Sequence, residues 1–309
     1  MVFAFSGPVL WAISVHVDKY LVERFFKQSD VAVLLLFTAF VGVLLLPFIW
    51  WFEPSVTAPG AGSIALIVLS GVLYMGAMLL YLQALQAEEA SVVAPFFQAS
   101  PLFGYGLAYL VLGETLSARQ MAGGVLIVVG ALIVSLRFAP SMPAPAGGGG
   151  KAGGFKARLA ALMLACGFAL ALSGLIFKIF AIEVEFWTTT FWMFVGEALF
   201  GCALLMIPAY RRQFTVILRA NTVALLSING SNELINLGGG LGNRYALMFA
   251  PLSLVQAIGS TTTLFVFAFG VILSLLWPSL GRENLSGRDL MQKGIAAALV
   301  AIGVALVTR

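Results

Sequence analysis

The chain has 309 residues, 61% of them hydrophobic and 10% charged, with 17 Lys+Arg against 13 Asp+Glu, a net charge of +4 and a mean hydropathy of +1.03. A soluble domain is roughly 45–50% apolar and about 25% charged. So few charges cannot clothe a water-facing surface, which excludes a soluble globular fold, a disordered chain and a nucleic-acid binder, and leaves a multi-pass helical membrane protein covered by lipid.

A membrane span needs ~20 mostly apolar residues. Broken at turn residues and charges, the sequence gives about ten such runs, near 2–22, 31–52, 63–85, 90–112, 118–138, 158–181, 187–209, 221–243, 248–277 and 289–308. The first lacks a basic leader and a small-residue cleavage site, so no cleavable signal peptide is expected. Between the fifth and sixth runs, Ala139–Gly154 reads APSMPAPAGGGGKAGG. Pro, Gly and Ala without apolar periodicity predict a flexible linker. Its four glycines are no phosphate loop, because no strand precedes them and no G-K-[ST] follows. The expected organisation is therefore a first five-helix unit at 1–138, a linker at 139–157 and a second five-helix unit at 158–309.

The halves resemble each other at an offset of about 160 residues. Leu10–Lys19 (LWAISVHVDK) matches Ala169–Lys178 (ALALSGLIFK), each with a lysine at the end of its first span. Glu89–Ser117 can be laid on Pro251–Ser286, and each is followed by a glycine-containing span. Duplicating an odd number of spans puts the copies in opposite orientations, the inverted repeat of many secondary transporters. The expected fold class is thus all-α, about ten transmembrane helices in a five-plus-five inverted repeat.

These residues carry a family resemblance. The block A-x-x-x-S-V-V-A-P-x-x-x-x-S-P-L at Ala87–Leu102, then L-G-E-x-L-S at Leu112–Ser117 and the glycine-containing span at Gly124–Leu132, resembles the EamA-type unit of the drug/metabolite transporter superfamily. The second half matches more divergently through Ala250–Val255 and Glu283–Ser286. The resemblance implies a ten-helix transporter of small metabolites with no cofactor. It leaves the substrate open among amino acids, sugars, nucleotide sugars, lipids and drugs. Thr38 and Met193 stand near positions where the family often carries a basic residue, a departure from its pattern.

Polar groups inside spans are costly and mark candidate function, since a charge at a helix centre costs ~2.5–3.5 kcal/mol on insertion scales. In the eighth span Asn229, Asn232, Glu233 and Asn236 fall at i, i+3, i+4 and i+7, on one helical face. They read either as a cavity stripe binding substrate polar groups or as interhelical hydrogen-bond glue. Gly238, Gly239, Gly240 and Gly242 would allow close packing or local unwinding there. Glu197 lies mid-span in the seventh run. Glu197 and Glu233 are the candidate proton-coupling groups, either facing each other or each hydrogen-bonded to Asn or Ser. Proline-marked spans four and nine, with Pro95, Pro101 and Pro251, contribute Gln98, Gln256, Ser260 and Thr263 as candidate cavity residues. Tyr81 and Trp192 are further candidates for the same space.

Lys19 and Lys178, at matched places, are candidates for gating or structure, with snorkelling to the interface as the plainer use. Trp11, Ser14, His16, Asp18 and Lys19 form a mixed group in the first span, in which the single histidine favours packing or hydrogen bonding. Loop lysines and arginines put the linker in the cytoplasm and the termini outside, whereas the resemblance implies cytoplasmic termini; in that count Arg244 is taken as a loop residue and Arg211, Arg212 and Arg219 as the seventh-to-eighth loop.

The expected function is a secondary active transporter, an exporter or exchanger of a small polar or amphipathic metabolite or drug, working by alternating access with protons as candidate coupling ions. Its expected partners are that substrate and the bilayer, its expected place the bacterial inner membrane. The alternatives are an intramembrane enzyme or flippase acting on lipid-linked substrates, which would have to lean on His16 and Asp18, and a passive channel. No nucleotide-binding motif or metal-ligand cluster points to an ATP-driven or metal-dependent activity.

Overall fold

The computed structural model describes residues 2–24, 30, 32–87, 100–135, 157–220, 222–276 and 287–308. Every regular element among them is helical. The reason is that a backbone in hydrocarbon must satisfy its own N–H and C=O groups, and a helix does so within one segment. The expected linker 139–157 falls outside the described residues except for Ala157, which starts a helix; Pro95, Gln98 and the side chains of Lys19 and Thr263 also fall outside them.

The first half holds α1 (Val2–Arg24), α2 (Ala32–Val41), α3 (Leu46–Phe52), α4 (Ala61–Ala87), α5 (Ser100–Leu112) and α6 (Ala118–Ser135). The second expected span is one run in sequence but not in geometry. Pro47 lacks an N–H and crowds the carbonyl four residues back, and the chain tightens to a 3-10 turn at Gly42–Leu45 before α3. A reciprocal capping box starts α6: Ser117 Oγ accepts the Gln120 N–H while Gln120 Oε1 accepts the Ser117 N–H.

The second half holds α7 (Ala157–Glu183), α8 (Phe186–Met206), α9 (Pro208–Ala220), α10 (Thr222–Phe249), α11 (Leu252–Gly259), α12 (Thr262–Leu276) and α13 (Gly287–Thr308). Two expectations are corrected. The segment between the seventh and eighth spans is the amphipathic helix α9, with Arg211, Arg212 and Arg219 exposed and Ile217 buried. Arg244 is no loop residue: α10 runs six residues past the expected end at 243, and Arg244 is 8% exposed. The ninth expected run is also divided. Pro251 opens α11, and the hydroxyls of Ser260, Thr261 and Thr262 turn back onto the carbonyls of Ala257, Ile258 and Gly259, where the helix breaks before α12.

Among the described residues, five segments are long and apolar enough to cross a membrane: Ala32–Phe52, Ala61–Ala84, Ala161–Glu183, Phe186–Met206 and Leu252–Leu273. Shorter apolar helices lie at Ser100–Leu112, Ala118–Gly130 and Gly294–Leu306. The chain is an integral, multi-pass membrane protein. Helices α1 and α10, with 23 and 28 residues, have the length to cross but not the hydropathy. They are the two that carry the polar cluster described below.

Small residues set the helix contacts, since lipid gives no hydrophobic drive and backbones must approach closely. On α4, Gly71 faces α8 so tightly that a Cβ there would stand 2.1 Å from the Met193 carbonyl oxygen; Gly196 of α8 meets the Val68 carbonyl oxygen at the same 2.1 Å. Gly7, Gly239 and Gly242 join α1 to α10, and Gly130 and Gly303 join α6 to α13. The α10 glycines therefore serve close packing, and the helix is not unwound there. Helix α1 packs on α10 and α12, α4 on α7 and α8, α5 on α7, and α2 on α8, whereas α2 meets α10 sparsely. The apolar core lies around Phe177, Phe180, Met193 and Leu252.

Candidate functional site

The eighth-span stripe is present as a face of α10. Asn229, Asn232 and Glu233 are 1%, 0% and 3% exposed, and Asn236 is half-buried. Helical geometry spreads these four residues over an arc of about 100°, and neighbouring helices supply their partners. From α2, Thr38 Oγ1 donates to Glu233 Oε1 at 2.7 Å. From α1, Asp18 Oδ1 accepts from Asn232 Nδ2 at 2.7 Å. Asn236, three residues further along α10, lies within reach of the Glu233 carboxyl. Three acceptors remain without a hydrogen-bond partner among the described residues: Asn229 Oδ1, Asn232 Oδ1 and Glu233 Oε2.

A second polar centre lies three helical turns along. Arg244 Nη2 donates to Glu197 Oε1 of α8 at 2.6 Å, and both are buried. The guanidinium carbon stands 5.0 Å from the Phe194 ring centroid and 5.8 Å from those of Tyr74 and Phe177. Arginine suits such a place, because its planar, weakly hydrated cation stacks on rings while its edge holds a carboxylate. Glu197 thus faces Arg244 rather than Glu233. Tyr74 lies near Glu197, Arg244, Glu233 and Asp18.

A third group joins the halves. Gly113 follows α5 at φ 63°, a left-handed conformation that only glycine adopts without strain. The turn brings Glu114 to Lys178 of α7, and the two form a buried ion pair. Glu114 Oε2 also accepts the Leu252 N–H at 3.0 Å, capping α11, while Lys178 Nζ donates to the Ala250 carbonyl at 2.8 Å. Glu114 is the acid of the L-G-E signature, and the structure gives it this use.

The other expected site residues have their own surroundings. Trp192 Nε1 donates to the Val56 carbonyl at 2.6 Å, against the 3-10 turn at Pro54–Thr57. Gln256 sits where α5, α7 and α11 meet, its carboxamide over Gly104 and beside Gly174 and its Oε1 without a partner. Ser260 Oγ is used by its own helix at Ala257. Pro101 lies in the first turn of α5, and Pro251 directly precedes α11. Tyr81 is half-buried near Asp18. His16 Nε2 bonds the Val266 carbonyl of α12 at 2.9 Å. Thr38, noted only as a departure from the family pattern, is the direct partner of Glu233, and Met193 is buried core.

Arg244 was missed, although a signal for it existed. It lies eleven residues beyond Glu233, about three turns, so the same helical period continued past 243 reaches it.

Residues 1–136 match the model of the EamA-like transporter family. The chain belongs to that family. The matched stretch is nearly the whole of the first expected unit. An uncharacterised protein of Methanocaldococcus jannaschii is 33% identical over 97 residues, covering 31% of this chain and 70% of that protein. A protein of known crystal structure superposes on 99% of this chain and 95% of its own with a TM-score of 0.66 and 14% identity, a likeness of fold alone. Family membership makes this a membrane transporter of the drug/metabolite type, with a small-molecule substrate and a lipid environment.

Proposed function

We propose that the chain is a secondary active transporter working by alternating access, exporting or exchanging a small polar or amphipathic metabolite or drug across the bacterial inner membrane. The observation that carries this reading is Glu233: a carboxylate on a membrane helix, 3% exposed, with one oxygen held by Thr38 and the other unpartnered. Such a group is too costly to keep for packing alone. Glu233 is the candidate proton-coupling group, and Glu197, held by Arg244, is its electrostatic neighbour rather than a second free site.

In this reading the ten spans form a five-plus-five inverted repeat, with units at 1–138 and 158–309 around the linker at 139–157. The packing pattern supports it. Exchanging the halves turns the α1–α10 contact into α4–α7, and the α1–α12 contact into α5–α7, while α6–α13 maps onto itself. The pair that breaks the pattern is α4–α8, tight at Gly71 and Gly196, against the sparse α2–α10. One closed and one loosened seam is what alternating access about a midplane site requires.

The test is flux driven by a pH gradient in proteoliposomes for wild type, Glu233→Gln and Glu197→Gln. Wild-type flux of a saturable, trans-stimulated kind is expected, lost or made pH-independent in Glu233→Gln. Unchanged flux and pH dependence in both variants overturns the carboxylate coupling. Non-saturable flux without counterflow would instead identify a channel.

A further inference from the structure

We propose that the seam between α1 and α10 binds a compact monovalent cation, an alkali-metal ion or the primary ammonium group of a substrate, through the oxygens of Asp18, Glu233, Asn229 and Asn232. The inference deepens the transport reading and rests on it.

Donors and acceptors do not balance at this seam. The Asp18–Asn232 and Thr38–Glu233 bonds use the Asn232 amide donor and the Thr38 hydroxyl. Asn229 Oδ1, Asn232 Oδ1 and Glu233 Oε2 then remain as buried oxygens without a hydrogen-bond partner among the described residues, the Asn236 amide lying within reach of the Glu233 carboxyl. They lie within about 6 Å of rise along α10, on one face. Ser14, four residues before Asp18 on α1, adds a buried hydroxyl without a partner. A buried acceptor left unpaired costs its full desolvation, and natural structures rarely leave three together. The surplus on α10 is of oxygen acceptors, so what completes it carries N–H or O–H donors or positive charge.

The orientation of Asn232 strengthens the point. Its amide nitrogen is fixed toward the Asp18 carboxylate, since that group only accepts, and its oxygen is thereby turned away as a ligand. Arg244, the buried guanidinium of α10, is committed to Glu197 about 16 Å further along the helix.

The donor set also sets the charge of the ligand. Among the described residues no three His, Cys, Asp or Glu side chains gather as a metal cluster. Two carboxylates, each with one oxygen already hydrogen-bonded and both diluted by amide oxygens, under-ligate a divalent ion, which takes six or more oxygens. A single positive charge loses less hydration on burial. A shallow groove lined by Val17, Ser227, Ile228, Ser231, Asn232 and Ile235 lies at the same seam.

The test is thermal unfolding of the purified full chain in detergent, with NaCl, LiCl or methylammonium chloride replacing choline chloride at constant ionic strength. A saturable rise in Tm of about 2–4 °C is expected in wild type, as for any ligand that binds the folded state alone. It should be absent in Asp18→Asn and Glu233→Gln and retained in Glu53→Gln, at an exposed turn. A rise with sodium or lithium alone assigns the site to an alkali ion, and one with methylammonium alone to a substrate ammonium. Binding of radioactive sodium to wild type, with competition by methylammonium, needs no variant and covers any that fail to fold. No saturable rise and no sodium binding in wild type overturns the proposal, as does a rise that persists in both carboxylate variants. If flux depends on Glu233 while no cation binds, the cation site falls and the transport reading stands. Binding without saturable flux overturns the transport reading instead.

Discussion

Arg244 and Glu197, 47 residues apart on α10 and α8, meet at 2.6 Å in the interior beneath three aromatic rings. Two charges removed from water gain little over apolar residues of the same volume, but either one alone is severely unfavourable. Arg244→Met or Glu197→Leu is therefore expected to destabilise the fold by about 3–5 kcal/mol, and the double variant by clearly less than the sum. Thermal unfolding of the four proteins in detergent checks this. Additive losses would show that the pair is not coupled.

The α4–α8 crossing depends on two glycines. Gly71→Ala and Gly196→Ala would each force a methyl group to 2.1 Å from a backbone carbonyl oxygen, and a backbone cannot swing aside as a side chain can. Each is expected to cost about 1–3 kcal/mol and to lower the yield of folded protein. Gly76→Ala, on the same helix with only Phe200 nearby at 3.9 Å, should be tolerated. Equal melting of all three would refute the close crossing.

Glu114 does two things, and two substitutions separate them. Glu114→Gln keeps an oxygen that can accept the Leu252 N–H but loses the charge that pairs with Lys178; Glu114→Ala loses both. The expected order of stability is wild type, then Gln, then Ala. Amide exchange at Leu252 should be faster only in Ala. Fast exchange in both variants would mean that the cap depends on the ion pair.

Trp192 is expected to matter for the fold rather than the cargo. Trp192→Phe removes the bond to the Val56 carbonyl and should cost about 1 kcal/mol. Substrate KM in the flux assay should be unchanged. A raised KM would return Trp192 to the cavity.

The sequence determined a good deal by itself. Scarcity of charge and runs of apolar residues determined the all-helical membrane class, because burial of backbone polar groups in lipid admits almost no other element, but not the breaks in the second and ninth runs, the amphipathic α9 or the end of α10. Period 3.6 put Asn229, Asn232, Glu233 and Asn236 on one face, since that spacing is a local property of any helix. The L-G-E signature pointed to the family. Only the tertiary structure decided the partners. That Thr38 holds Glu233, that Asn232 holds Asp18, and that Glu197 belongs to Arg244 depends on which helices touch and at what rotation. Such contacts join residues 47 to 214 positions apart, and no local pattern encodes them. The end of α10 is the clearest case. Arg244 reads as the start of a loop because a charge in lipid is costly. The helix continues through it because Glu197 and three rings across the interface remove that cost.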